Sequence, residues 1–401
     1  MAKTYGSTNN EVGYNVAIDK LSYIYITGYF YGNIQFGSTI LSSSGSHDIF
    51  LAKLDSSGNA VWAVKAGGNS YDNAAGITID QNENIYLTGY FNNTANFSGI
   101  IVNSLGGDDV FVAKYDSSGI IQWVSTANGP GIYDIANKIV CDNGQYLYIS
   151  GQFENTLKFG QDSIISNGLS DGFIAQIDLN GNFEWCKNFG GSDSDIVSNI
   201  SISPMGTLFC VGYFKGFADF NNGQTLTSFG GTDIFLLQAD NFGNTFWAMQ
   251  AGSILDDKAW GLSTDMNNFG YISGFFSGTA NFATNIIFSN GGFDFFVAKI
   301  DLSTDILEFN NNHYLINFVP DIYFESFKFY LTLTDWDEKN ISLFIYDNQG
   351  KILINKNKAK INLNKKSIEI ELSHSDFPKG IYFYKLCDRE KIIATGKFIV
   401  N

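Results

Sequence analysis

The chain has 401 residues, of which 44% are hydrophobic, so it can bury sizeable cores and is globular rather than disordered. Its 42 Gly, 36 Phe and 21 Tyr, against only 4 Pro, are typical of many short strands joined by tight turns. The formal net charge is −16. Because such a chain repels phosphate backbones and anionic lipids, we expect no nucleic-acid partner.

Charge divides the chain near residue 310. Residues 1–310 contain 11 Lys, no Arg and 29 acidic residues, a formal charge of −18, whereas the remainder carries +2. This change predicts a domain boundary. No apolar run is long enough to span a bilayer, so we expect no membrane span. The four cysteines show no metal-ligand spacing and are interpreted as small buried hydrophobes, so no cofactor is expected.

A repeat of 61 or 62 residues runs through the acidic part of the chain. Each unit has four segments with the pattern of antiparallel strands, the first short and rich in small residues. We therefore predict an all-β fold in which residues 11–310 form a β-propeller of five four-stranded blades, closed or nearly closed, with residues 1–10 as an interblade loop. The spacing is kept by Gly28, Gly89, Gly151, Gly212 and Gly274, and by Asp48, Asp109, Asp171, Asp233 and Asp294.

The repeat resembles the bacterial SBBP, or seven-bladed, family of β-propeller repeats. Three segments of the second unit carry the resemblance: Asp72 to Asp80, Tyr86 to Phe91, and Asp109 to Trp123. The resemblance implies the propeller fold and an extracytoplasmic setting, but no single activity. The chain begins at a position that aligns with an interblade loop and shows no signal peptide, so we expect the full gene to encode one upstream.

After a predicted linker at residues 311–326, residues 327–401 alternate in short segments that favour an immunoglobulin-like β-sandwich. This segment resembles the type A C-terminal sorting domain of the type IX secretion system of Bacteroidetes. The resemblance implies export to the medium or the outer cell surface, with the secretion machinery as partner. Its landmarks supply the candidate sorting-signal residues: Gly350, Lys351, Lys379, Gly380, Tyr382, Gly396 and Lys397.

One acidic position recurs at the start of the innermost strand of every unit. We expect these carboxylates to form a ring at one mouth of the propeller channel, where they could hold a hydrated cation. In the alternative interpretation each one accepts hydrogen bonds from backbone amides of an interblade loop. This candidate acidic ring consists of Glu11, Asp72, Asp134, Asp195 and Asp257.

The sequence favours a non-catalytic scaffold or binding module over an enzyme. Arg389 is the only arginine, so the blades lack the arginine cluster of a sialidase-like hydrolase, and no metal set of a quinoprotein-like enzyme is evident. Loops rich in Asn, Ser, Gly and Tyr suit a glycan or protein ligand. A third alternative is a structural repeat within a larger surface protein.

Overall fold

The computed structural model describes residues 3–302, except 143, 204–205, 222, 267–268 and 284, together with 314–321, 326–333, 341–346, 351–357, 360–362, 367–373, 380–388 and 391–400. The chain divides into two compact units, Met1–Asp301 and Leu302–Asn401. All secondary structure in the described residues is β. No described helix is long and apolar enough to cross a membrane.

The described strands of the first unit form antiparallel groups that follow the five sequence repeats, and we number these groups blades 1 to 5. Blades 1, 2 and 4 have four strands each, blade 3 has an extra short hairpin, and three strands of blade 5 are described. The strands are, for blade 1, β1 (Glu11–Ile18), β2 (Ile24–Phe36), β3 (Thr39–Leu54) and β4 (Ala60–Gly68); for blade 2, β5 (Asp72–Ile79), β6 (Ile85–Phe97), β7 (Ile100–Tyr115) and β8 (Ile121–Asn128); for blade 3, β9 (Ile135–Cys141), β10 (Tyr146–Phe153), β11 (Thr156–Phe159), β12 (Asp162–Ile165), β13 (Asp171–Asp178) and β14 (Phe183–Gly191); for blade 4, β15 (Ile196–Ile202), β16 (Leu208–Asp219), β17 (Thr225–Ala239) and β18 (Thr245–Ala251); for blade 5, β19 (Lys258–Thr264), β20 (Phe269–Phe282) and β21 (Asn285–Asp301).

A repeated Asp-x-x-Gly turn joins the last two strands of a blade. In blade 1, Oδ1 of Asp55 accepts hydrogen bonds from the amides of Ser57 and Asn59 at 2.9 and 2.8 Å. Gly58 follows with φ of +75°, a conformation that glycine adopts without the steric cost of a Cβ atom. Blades 2, 3 and 4 repeat these contacts at Asp116, Asp178 and Asp240.

Successive blades pack through the apolar face of the third strand. Val110 and Val112 of blade 2 are buried against blade 3, where Ile139 and Ile149 belong to the same cluster. Ile49 and Leu51 of blade 1 have the same role toward blade 2. The last strand of a blade also pairs with the following blade: Gly67 and Gly68 of β4 lie in register with Asn96 and Ala95 of β6. Each blade is therefore stabilised by the next.

The two end blades differ from the others. Phe295 and Val297 of blade 5 occupy the register positions of Val110 and Val112, yet they are 83% and 70% exposed. Val16 of blade 1, the counterpart of the buried Ile77, is 56% exposed. Among the described residues these two end faces are thus uncovered, whereas we expected a closed or nearly closed ring. The predicted fourth strand of blade 5 lies at 303–310, outside the described residues.

The second unit consists of two four-stranded antiparallel sheets, in the orders β22-β23-β27-β26 and β25-β24-β28-β29. The packing of a sandwich stays a prediction. The expected linker at 311–326 is corrected, because it contains β22, which pairs with β23 along its whole length. β22 is an edge strand, a position where a proline such as Pro320 is tolerated. The strands are β22 (Tyr314–Asp321), β23 (Ser326–Leu333), β24 (Ile341–Tyr346), β25 (Ile352–Asn357), β26 (Lys360–Asn362), β27 (Ser367–Ser373), β28 (Gly380–Asp388) and β29 (Lys391–Val400).

Candidate functional site

The innermost strand of every blade contains a β-bulge at the same position of the repeat. In blade 1, Gly13 pairs with Gly28 and Asn15 with Thr27, so Tyr14 is left out of the ladder. A bulged residue is released from the regular alternation of the strand, and bulges often redirect a side chain toward a site. The five bulged residues all differ in type: Tyr14, Ala75, Asn137, Ser198 and Trp260.

All five bulged residues line one cavity, which we call the axial cavity because the inner strands of all five blades contribute to its wall. Its volume is about 350 Å³. Tyr90 and Tyr213 add aromatic rings to its wall, and Gln152 adds an amide. Tyr14 and Trp260, on the two end blades, are about half exposed. The cavity therefore combines polar amides with accessible aromatic surface, the combination typical of sites for small polar ligands.

Asparagine side chains tie the inner strands together around the axial cavity. Nδ2 of Asn15 donates to the carbonyl oxygen of Ala75 in the next blade, at 3.2 Å. Asn137 donates in the same way to Val197, and Asn199 to Trp260, both at 3.1 Å. These bonds join the inner strands of neighbouring blades, so they hold the strands that form the wall of the cavity in place.

The structure places the candidate acidic ring in the junctions between blades. Asp72, Asp134, Asp195 and Asp257 are buried, and each accepts backbone amide hydrogen bonds, as the alternative interpretation predicted. Glu11 is partly exposed and accepts a hydrogen bond from the amide of Ser7 at 3.2 Å. Four of the five are shielded from solvent, and their arrangement as a ring at one mouth of the channel stays a prediction. The described residues contain no cluster of three or more metal-ligating side chains.

Each of these junction aspartates lies beside a second buried aspartate of the preceding blade. A Cβ atom at Gly67 would lie 2.9 Å from Oδ1 of Asp48 and from Oδ2 of Asp72, so the two carboxyl groups converge on this glycine. Asp171 and Asp195 converge on Gly190 in the same way. Burial, reinforced by the neighbouring carboxylate, raises the pKa of Asp72 and of Asp195 to about 7.

Five of the seven sorting-signal candidates are described, and they lie in or beside the second sheet of the second unit. Gly380 and Tyr382 belong to β28 and pair with Val400 and Phe398 of β29, the strand that also contains Gly396 and Lys397. Lys351 directly precedes β25 and is exposed. Gly350 and Lys379 lie outside the described residues.

Sequence reasoning missed the axial cavity, although one signal for it was available. The signal is variation within an otherwise regular repeat. The residue two positions after Gly13 and its counterparts is Asn, Gly, Lys, Asn and Gly in the five units; the counterparts are Ala74, Ala136, Val197 and Ala259. The bulged residue between these two positions is of a different type in every unit. Variation at a fixed register position inside a repeat marks a position that the fold itself does not specify.

Comparisons with known proteins agree with both halves of this description. Residues 61–97 match the SBBP family of beta-propeller repeats. Residues 326–401 match the secretion system C-terminal sorting domain. An uncharacterized WD repeat-containing protein of Acanthamoeba polyphaga mimivirus is 26% identical over 259 residues, which cover 53% of this chain and 19% of that protein. The match thus spans about a fifth of the length of this relative. The chain thus contains a beta-propeller repeat of the SBBP type in its first unit and a secretion system C-terminal sorting domain in its second.

Proposed function

We propose that this protein is an exported, non-catalytic binding module whose ligand site is the axial cavity. The observation that carries the proposal is the set of five bulges, each of which releases a non-repeating side chain from the strand ladder at the wall of one cavity. Repeated positions maintain the blades, whereas these five positions give the cavity an individual surface. A cavity of about 350 Å³ fits a small polar molecule or one residue of a glycan or peptide.

The arrangement of the titratable groups supports binding rather than catalysis. The buried aspartates are engaged by backbone amides in the junctions and do not line the axial cavity. His47, the only histidine among the described residues, stacks on Tyr29 with ring centroids 4.4 Å apart. Neither arrangement provides a nucleophile beside a general base. The sorting domain supports export to the medium or the cell surface, where such a module meets glycans and proteins.

The test is a panel of soluble glycans and short peptides presented to the full chain, with Trp260→Ala as the probe of the cavity. The control is Phe242→Ala, which removes another exposed aromatic side chain at a hairpin turn away from the cavity. We expect a ligand of the wild-type chain to lose affinity for Trp260→Ala and to keep it for Phe242→Ala. Equal losses for both variants, or chemical change of the ligand during incubation, would contradict the proposal.

A further inference from the structure

A lysine lines the axial cavity without a carboxylate partner. Lys138, on β9 of blade 3, is largely buried, and its Nζ donates a hydrogen bond of 3.3 Å to Oδ1 of Asn15 across the cavity. In the described part of the chain, no carboxylate lies within 4.0 Å of this ammonium group. Burial lowers the pKa of Lys138. A buried ammonium group with a single amide acceptor has unused capacity to bind an anion.

The same cavity contains hydrogen-bond acceptors without donors. Asn73 is 5% exposed, and its Oδ1 atom has no partner. Oδ1 of Asn199 is also buried and without a partner. Both residues line the axial cavity. Both oxygens are closed to solvent, so a ligand meets instead the amide side chains that line the cavity, including Asn137 and Gln152, and these favour a ligand that carries hydroxyl groups.

The charge of the unit limits the ligand to a single negative charge. Residues 1–310 carry a formal charge of −18 and no arginine, and Lys138 is the one cation that lines the cavity among the described residues. One ammonium group balances one anionic group, whereas a dianionic phosphate monoester would leave an uncompensated charge in this acidic unit. The half-exposed rings of Tyr14 and Trp260 offer flat surface for the apolar face of a sugar ring.

We infer that the axial cavity binds a monoanionic sugar of about one ring, with its acidic group on Lys138 and its hydroxyl groups against the amide side chains of the cavity wall, such as Asn137 and Gln152. This inference rests on the proposed function and names the ligand class of the same site. The acidic group can be a carboxylate, as in a uronic acid, or a sulfate ester, since both carry one charge and accept hydrogen bonds from an ammonium group.

The experiment is isothermal titration of the full chain with glucuronate, galacturonate, glucose 6-sulfate and glucose. We expect an acidic sugar to bind and glucose to bind at least about tenfold more weakly, since a hydrogen bond to a charged group contributes about 1.5–3 kcal/mol. Lys138→Gln should weaken acidic-sugar binding by a similar factor, and Lys138→Arg should restore part of it. Lys158→Gln, at an exposed lysine of β11, is the matched control and should bind normally. The uronate and sulfate arms identify which acidic group is preferred.

The outcomes separate this inference from the proposed function. If glucose binds as tightly as the acidic sugars, or if Lys138→Gln and Lys158→Gln bind alike, the anionic ligand class is overturned while the axial site stands. If none of the four sugars binds, the ligand class is again overturned, and the site is judged by the response of other ligands to Trp260→Ala. Melting curves of both lysine variants show that each is folded before titration.

Discussion

Nε1 of Trp62 donates a hydrogen bond to the carbonyl oxygen of Ser117, 3.2 Å away in the hairpin turn of the next blade. Trp123 bonds Leu179, and Trp185 bonds Asn241, in the same way. A Cβ atom at Gly119 would lie 3.1 Å from the ring of Trp62, so the turn glycine allows close packing over the indole. The repeated tryptophans thus connect blades, rather than only closing their own hairpins.

We predict that Trp62→Phe lowers the free energy of unfolding by about 1 kcal/mol or somewhat more, because it removes one interblade hydrogen bond and leaves the Ser117 carbonyl without its donor. Chemical denaturation of the full chain measures this loss. Trp260→Phe is the control, since its exposed side chain bonds no neighbouring blade in the described residues. Equal stability of Trp62→Phe and wild type would show that the bond is not formed in solution.

Two valines at equivalent register positions, one buried in blade 2 and one on the uncovered end face of blade 5, allow a matched pair of substitutions. Val112→Ala removes methyl groups from a fully buried junction and should cost about 2 kcal/mol. Val297→Ala makes the same chemical change at the equivalent register position and should cost less than about 0.5 kcal/mol, because that side chain is 70% exposed. A similar cost at both positions would mean that blade 5 is covered in solution, by blade 1 or by another chain.

The paired aspartates predict that stability decreases as pH rises. Burial raises the pKa of Asp72, Asp134 and Asp195 to about 7, well above the value near 3.8 of the free side chain. Between these pH values the folded state binds protons that the unfolded state releases, so the free energy of unfolding falls from about pH 4 to pH 7 and then levels off. Denaturation at pH 5 and pH 8 measures the difference.

The neutral variant Asp72→Asn tests the origin of that slope. It should flatten the decrease between pH 4 and pH 7, since one of the titrating groups is gone. Asp256→Asn is the control: backbone bonding from Thr232 lowers the pKa of this exposed carboxyl, so its removal changes the slope of stability against pH only below about pH 4 and leaves the slope between pH 4 and pH 7 unchanged. An unchanged slope in Asp72→Asn would assign the pH dependence to other groups.

Export should depend on the second unit. In a host that possesses this secretion system, a signal peptide, a fluorescent cargo and residues 314–401 should reach the medium or the cell surface. The same fusion without residues 326–401, the span of the sorting domain, should remain in the periplasm. Periplasmic retention of the complete fusion, beside an authentic exported control, would show that this tail alone is insufficient.

The sequence predicted what is local and repeated. The period of 61 or 62 residues revealed the blades, and a turn such as that at Asp55 depends only on residues three or four positions apart. It did not predict the pairing of Asp48 with Asp72, because the two carboxyl groups converge only when one blade packs on the next. Lys138 was missed for a similar reason: a single lysine in a strand gives no sign that its neighbours from other blades leave it without a carboxylate.

The bulge at Tyr14 and its four counterparts has a consequence for how this protein can change. A residue outside the hydrogen-bonded ladder has no cross-strand partner whose packing it must match, so replacing Tyr14 perturbs the strand little, whereas Asn137 also bonds Val197 of the next blade. On the proposed function, mutations at the other four positions would alter ligand preference while the blades keep their stability. Proteins with the same blades would then bind different molecules through changes at these few positions.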